Sequence, residues 1–258
     1  MSQRWNVRKA AVLGAGVMGS GISAHLASCG IPVLLLDIVP PDLSADEAKD
    51  PAARNKFAAG GLKAALGSRP PVFLDTDAAA RIEVGNFDDD MAKIAECDWV
   101  IEVVKEDLAV KKALLDRVQK YWKPGIVLST NTSGLSISAM LEGRPDELKR
   151  HFLGTHFFNP VRYLHMLEII PGAETDPQVL SNVADFADRY LGKGVVYAKD
   201  TPNFIGNRIG VFSMMHALQL MQEMNYTVEE VDAIGGPPMG RSKSAVFRTA
   251  DVVGLDTL

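Results

Sequence analysis

Cysteine is scarce: 258 residues contain two, Cys29 and Cys97. They stand far apart in the chain, so neither a close-spaced thiolate metal motif nor a paired redox motif is present, and no metal site is expected. Both sit in apolar surroundings, which predicts buried free thiols and fits a reducing, cytoplasmic setting. No run of 18 apolar residues occurs, which excludes a membrane-spanning helix. Positive charge is not in excess either. Lys plus Arg is 27 against 32 Asp plus Glu, and the net charge of −5 argues against bulk binding to nucleic acid or anionic membrane. Met1 to Arg8 is polar and lacks the long hydrophobic segment of a signal peptide. Repeats and low-complexity segments are absent. What remains is ordinary globular composition, 47% hydrophobic and 23% charged, enough for one large domain or two smaller ones.

The chain alternates strand and helix. Val7 to Leu13 ends in an apolar run before Gly14-Ala15-Gly16, and Val17 to Ser28 carries small and apolar residues at helical spacing, closed by Gly30. Ile31 to Asp37 is a continuous apolar run of the kind buried on both faces of a parallel sheet. Further strands are predicted at Ile82 to Val84, Trp99 to Val104, Ile126 to Ser129, Phe152 to Thr155, Leu167 to Ile170 and Val195 to Tyr197. Helices are predicted at Asn55 to Leu66, Lys111 to Tyr121 and Ser136 to Leu141, with another starting at Asp176-Pro177. The fold class is α/β, a Rossmann-type doubly wound sheet. After Lys199 strands disappear. Asn203 to Met224 reads as one long Met-rich helix suited to core or dimer contact, and Thr227 with Glu230 forms a capping box for the next. The expected division is a domain over residues 1–200 and the start of an all-α domain over 201–258, whose abrupt end suggests a fragment of a longer chain.

Gly14-x-Gly16-x-x-Gly19 would say little alone. Here it follows a strand, opens a helix, and precedes a strand ending in Asp37, which is the context of a dinucleotide cradle. Gly14 permits the tight turn, Gly16 lets backbone approach a pyrophosphate, and Gly19 allows close helix–strand packing. Val17 and Met18 lie between them at the helix N-terminus, whose N–H groups and dipole favour an anion. Asp37 is placed to accept from ribose hydroxyls and would repel a 2′-phosphate, so NAD is expected rather than NADP. FAD also uses this motif, but no flavin-type feature accompanies it.

The segment Gly154-Thr155-His156-Phe157-Phe158-Asn159-Pro160 is apolar apart from its His and Asn. Twelve residues after His156, Glu168 stands inside an apolar run, where a charge is costly without a partner. A His156–Glu168 pair would hold the imidazole tautomer and stabilise the imidazolium formed when the ring takes a proton. Spacing leaves alternatives open: His156 as a core histidine, His151 or His165 as the base, His165 as the partner of Glu168, and Glu168 as a strand-edge surface carboxylate.

Several segments together resemble the 3-hydroxyacyl-CoA dehydrogenase family: GAGVMGSGIS at Gly14, IEVVKEDLAVK at Ile101, STNTSGLSIS at Ser129, GTHFFNPV at Gly154, KDTPNFIGNRI at Lys199 and VVGLDT at Val252. The resemblance covers the chain from residue 7 to its end, and HFFNP and DTPxFIxNR are its specific parts. It implies oxidation of an L-3-hydroxyacyl-CoA to the 3-oxoacyl-CoA with reduction of NAD in fatty-acid β-oxidation. It makes His156 the base and Glu168 its orienting partner. Ser133 and Asn207 then contact the reacting hydroxyacyl group, Asn159 lies where substrate meets nicotinamide, and Glu106 and Lys111 touch the cofactor, as does Ser133. Among Arg54, Lys56, Lys63 and Arg69, the resemblance favours Lys63 and Arg69 for CoA, although the Pro40–Pro51 loop and the Gly60-Gly61 pair depart from simple members. Gly134, Arg162 and Tyr163 resemble the dehydrogenase part of multifunctional fatty-acid oxidation proteins. That implies fusion to, or association with, an enoyl-CoA hydratase, and the family's helical domain, which usually makes its dimer, implies a homodimer in the full-length protein. Two competing readings are an NAD-dependent dehydrogenase of a small hydroxy or sugar acid without CoA, and a non-catalytic NAD-binding fragment.

Overall fold

The computed structural model describes residues 5–254, so the end of the VVGLDT segment lies outside the described residues. The chain divides into two compact units, Met1–Pro202 and Asn203–Leu258.

The first unit is built on eight strands: β1 (Ala10–Leu13), β2 (Val33–Asp37), β3 (Ile82–Asn86), β4 (Trp99–Glu102), β5 (Val127–Thr130), β6 (Phe152–Phe157), β7 (Met166–Pro171) and β8 (Gly194–Tyr197). Their order across the sheet is β3-β2-β1-β4-β5-β6-β7-β8. The chain order reverses between β1 and β4, the switch point at which open α/β sheets bind ligands. β1 to β6 run parallel, and the central strands are buried on both faces, as their unbroken apolar sequence requires. β7 turns back antiparallel to β6, and β8 runs parallel to β7. Apolar runs alone do not encode strand direction, so this reversal was not readable from them.

Helices α1 (Val17–Ser28), α2 (Pro51–Arg54), α3 (Lys56–Leu66), α4 (Leu108–Gln119), α5 (Ile137–Leu141), α6 (Asp146–Arg150) and α7 (Pro177–Arg189) complete the unit. Side-chain caps set their starts: Asp107 accepts from the N–H groups of Ala109 and Val110, Ser136 from Ala139, and Asp176 from Gln178 ahead of Pro177. The α4 helix therefore starts earlier than apolar periodicity suggests, because Asp107 caps it. Beneath the sheet, Trp99 meets Trp5 and Phe186 edge-on, with ring centroids 6.3 and 6.2 Å away. Cys97 is buried and Cys29 half-buried; both are free, and burial pushes the Cys97 thiol up to about 12.

The second unit contains α8 (Gly206–Met224), α9 (Val228–Gly235) and α10 (Phe247–Val253). Asn225 ends α8 in the left-handed conformation, and Thr227 and Glu230 form the reciprocal capping box. On α8, Ile209, Phe212, Met215 and Met224 are exposed.

Candidate active site

The glycine turn leaves β1 at the switch point. Gly14 has φ +113°, and a Cβ there would lie 2.5 Å from the Val103 carbonyl oxygen, so only glycine fits. A Cβ on Gly19 would fall 1.8 Å from the Gly14 carbonyl oxygen, which is why α1 can press against the turn. At Gly16 a Cβ would meet nothing within 4 Å: the backbone there faces open space, and the α1 amides follow it. Val17 is exposed at that end of the helix, and Met18 packs inward against the core. A cleft of about 440 Å³ opens beside this turn, lined by Gly14, Gly16, Asp37, Ile38, Val103 and Val104 among others. This cradle fits a dinucleotide. Asp37 stands at the cleft with its carboxylate accepting from Ala15 N at 2.6 Å and Ile38 N at 2.7 Å. It therefore braces the glycine turn as well as facing the cleft, a role that spacing alone did not suggest.

Farther across the sheet, the antiparallel register pairs His156 on β6 directly with Glu168 on β7. Directly opposed residues of antiparallel strands share one face, so both side chains project together. His156 Nδ1 lies 2.6 Å from Glu168 Oε2, with the two side chains 4% and 0% exposed. The carboxylate can only accept, so Nδ1 carries the proton of the neutral ring and the basic lone pair belongs to Nε2. Phe158 packs edge-on to the imidazole at 4.4 Å between ring centroids. The rival histidines are elsewhere: His151 bonds the Glu147 carbonyl and packs on Trp122, while His165 is exposed beside Gly194.

Between these two places lies a polar network leaving β4 and β5. Glu102 is buried at the end of β4; its carboxylate takes Lys111 Nζ at 2.8 and 3.0 Å, the Thr130 hydroxyl at 2.5 Å and Val104 N at 2.7 Å. Lys111, itself 1% exposed, also reaches Glu106 at 3.3 Å. Glu106 Oε1 accepts from the Thr132 hydroxyl at 2.5 Å, Ser133 N at 2.8 Å and Gly134 N at 3.1 Å. Burial works against the charge of Glu106 but is outweighed by the Thr132 hydroxyl, the Lys111 ammonium and the two backbone N–H groups, which hold its carboxyl below the ordinary range. Lys111 is thus sealed behind Glu106, and Glu106 shapes the loop that presents the exposed Ser133. Asn131, in the same loop, accepts from Phe157 N through Oδ1 at 2.9 Å and so ties β5 to the strand bearing His156. The sequence reading missed Glu102 and Asn131. A carboxylate inside the apolar run WVIEVV is the same signal that marked Glu168.

A second groove, about 600 Å³, runs between α1 and α3 and is lined mostly by apolar groups, with Lys56, Phe57, Asn159 and Val161 on its walls. Asn159 is exposed there, on the turn that follows His156. The groove exists because α3 approaches the glycine turn closely: a Cβ on Gly61 would lie 2.2 Å from the Ala15 carbonyl oxygen, whereas one on Gly60 would meet nothing within 4 Å. Of the cations on and around this helix, Lys56 lines the groove, Arg54 at the end of α2 is held by Asp89 at 2.6 Å, and Lys63 and Arg69 are exposed outside the groove lining. Asn207 lies half-buried in the first turn of α8, in the second unit. The first unit thus gathers a dinucleotide cradle, an acid–base pair and an apolar groove ending at the same turn. No group of three or more His, Cys, Asp or Glu suited to a metal ion occurs among the described residues. Among them, too, no helix is long and apolar enough to cross a membrane.

Comparison with known proteins gives a consistent result. Residues 9–201 match the family description "3-hydroxyacyl-CoA dehydrogenase, NAD binding domain", and residues 204–258 match "3-hydroxyacyl-CoA dehydrogenase, C-terminal domain". A "Probable 3-hydroxyacyl-CoA dehydrogenase" of Bacillus subtilis is 53% identical over 258 residues, covering 98% of this chain and 33% of that protein. One of the same description from Deinococcus radiodurans is 49% identical over 252 residues, covering 98% of this chain and 70% of that protein. Among solved structures, FadB2 of M. tuberculosis superposes with a TM-score of 0.77 at 28% identity, covering 98% of this chain and 85% of that one. The chain therefore spans about a third of the length of the Bacillus relative.

Proposed function

The chain belongs to the 3-hydroxyacyl-CoA dehydrogenase family, and from that premise we propose that it oxidises an L-3-hydroxyacyl-CoA to the 3-oxoacyl-CoA with NAD, in fatty-acid β-oxidation. The observation that carries this reading is the buried His156–Glu168 pair, set in register across β6 and β7.

The NAD-binding domain of the family matches residues 9–201; within it, the cradle of Gly14, Gly16, Val17, Met18 and Gly19 with Asp37 would hold the dinucleotide, and Glu106 and Ser133 would serve its nicotinamide end. When bound, NAD accepts the C3 hydride. His156 takes the substrate hydroxyl proton at Nε2, and Glu168 stabilises the imidazolium that results, so that charge separation occurs between groups already aligned. Ser133, held by Glu106, and Asn159, on the turn after His156, orient the hydroxyacyl oxygen. Lys111 acts from behind, keeping Glu106 charged and in place. The groove between α1 and α3 accepts the CoA arm, with Lys56, Lys63 and Arg69 as cations for its phosphates. The exposed apolar residues of α8 favour a homodimer, and the multifunctional resemblance favours an enoyl-CoA hydratase fused to, or associated with, the whole protein.

The test is NADH consumption with acetoacetyl-CoA against free hydroxy and oxo acids. Turnover confined to the CoA ester supports the proposal; turnover of the free acids, or NADH binding with no consumption, refutes it.

A further inference from the structure

The proposed chemistry makes no use of the buried cation Lys193. Lys193 follows α7, with its residue 2% exposed. Its ammonium donates to the carbonyl oxygen of Val161 and, at 2.9 Å, to that of Leu164. Among the described residues no carboxylate pairs with it. A buried ammonium is costly unless its donors are well used, and here they are used on one short segment, the Phe158–His165 connection between β6 and β7. His25, nearby, is neutral: burial first and the Lys193 charge second push it down to about 4, and its Nε2 bonds the Leu191 carbonyl at 2.9 Å.

That connection carries three parts of the site. Phe158 packs on the His156 ring, Asn159 walls the groove, and Val161 walls it too while lying against α1 at Gly21. The turn's own bonds are few: Tyr163 N and Leu164 N both donate to the Pro160 carbonyl at 3.0 Å. Arg162 ties the outside of the turn to the carbonyls of Pro71, at 3.1 Å, and Phe73, at 2.5 Å. On the inside, the Lys193 ammonium is joined by the backbone bond from Gly194 N to the His165 carbonyl, at 2.8 Å, and by the packing of Val161 in the core.

We infer that Lys193 is a positioning residue: its buried ammonium clamps the Val161 and Leu164 carbonyls and thereby fixes Phe158 and Asn159 beside His156. It touches neither substrate nor cofactor, and it acts through the turn alone. The inference deepens the proposed activity and rests on it for its kinetic part only.

Three variants of the full chain decide it. Lys193→Met keeps length but removes charge and donors; Lys193→Arg keeps both; Lys193→Gln keeps two N–H donors on a shorter stem. In Lys193→Met, hydrogen exchange at the Tyr163 and Leu164 amides should accelerate while core strands β1 and β4 stay protected. NADH binding, read by fluorescence, should stay near the parent value because the glycine cradle is held by other bonds. Turnover with acetoacetyl-CoA should fall about a hundredfold, the scale of a misplacement of about 1 Å, and Lys193→Arg should recover most of it. If Lys193→Met does not fold, Lys193→Gln gives the same readouts. Unchanged exchange at the turn overturns the inference, and so does loosening of the whole core with loss of NADH binding. A parent chain inert toward acetoacetyl-CoA overturns the proposed activity instead, and the exchange experiment still judges the clamp.

Discussion

Replacing Glu168 by glutamine should separate catalysis from stability. Glutamine keeps the shape of the side chain, and its amide oxygen still accepts the Nδ1 proton of His156, so the neutral resting arrangement survives. What is lost is the attraction between a carboxylate and the imidazolium that forms as the substrate proton is taken. The contact is 2.6 Å between heavy atoms; with the imidazolium charge spread over the ring, the separation of charge centres is about 4 Å, and at an effective dielectric of about 20 the attraction is about 4 kcal/mol. One decade of rate is about 1.4 kcal/mol, so kcat should fall about a thousandfold with little change in KM. Stability should change little, because glutamine keeps the shape of the side chain and the hydrogen bond to Nδ1. The assay is steady-state NADH consumption with acetoacetyl-CoA, paired with thermal melting of the same preparations. A kcat within tenfold of the parent would refute the electrostatic role. A kcat loss matched by a large drop in Tm would show that Glu168 holds the fold rather than the chemistry.

Three further outcomes are expected. His165→Ala should leave turnover nearly intact while His156→Ala abolishes it, since His156 is bonded to Glu168 and His165 is exposed; equal losses in the same assay would reassign the base. The adjacent glycines of α3 should diverge: Gly61→Ala should cost about 1–3 kcal/mol by forcing α3 off the Ala15 carbonyl, whereas Gly60→Ala should gain about 0.5–1 kcal/mol as a helix substitution. Its methyl group would nevertheless enter the groove and raise KM for the CoA substrate, and denaturant unfolding with kinetics on both variants checks each part. Burial opposes the charge of Asp200, but N–H and hydroxyl donors from Ser138, Ile137 and Ser136 outweigh it and hold the carboxyl below its ordinary range. Its contribution to stability is therefore present above about pH 4, the unfolded value, and vanishes as pH falls through the lower folded value. The Tm gap between the parent and Asp200→Asn should be widest near neutrality and close in acid; a gap that grows on acidification would contradict this.

Much of the first unit was legible because its signals are local. Gly14, Gly16 and Gly19 after an apolar strand can hardly mean anything but a tight strand–helix turn, and Asp176-Pro177 and Thr227 with Glu230 announce helix starts by their own chemistry. Fully buried strands such as β2 were visible as unbroken apolar runs. The candidate pair His156 and Glu168 was legible as two polar residues stranded in apolar segments, yet nothing local chose between His156 and His165 as the partner of Glu168. That choice is made by the antiparallel register, a non-local property. The same reason hides Asp37's bond to Ala15, Lys111's burial behind Glu106, and Asn131's bond to Phe157: each depends on which strand ends lie side by side. The cations after the proline loop were legible as a cluster, but only packing separates Lys56 in the groove from Arg54, already held by Asp89.

The reversal of β7 has a consequence for how this protein can change. Side chains alternate sides along a strand, so deleting or inserting a single residue within β6 or β7 would swing the acid to the far side of the sheet from the base, however well the rest of the core reassembled. Variation in length is therefore tolerable outside the hairpin's arms and fatal within them. A scan of one-residue deletions along this stretch should find folded but inert proteins clustered between Phe152 and Phe157 and between Met166 and Pro171.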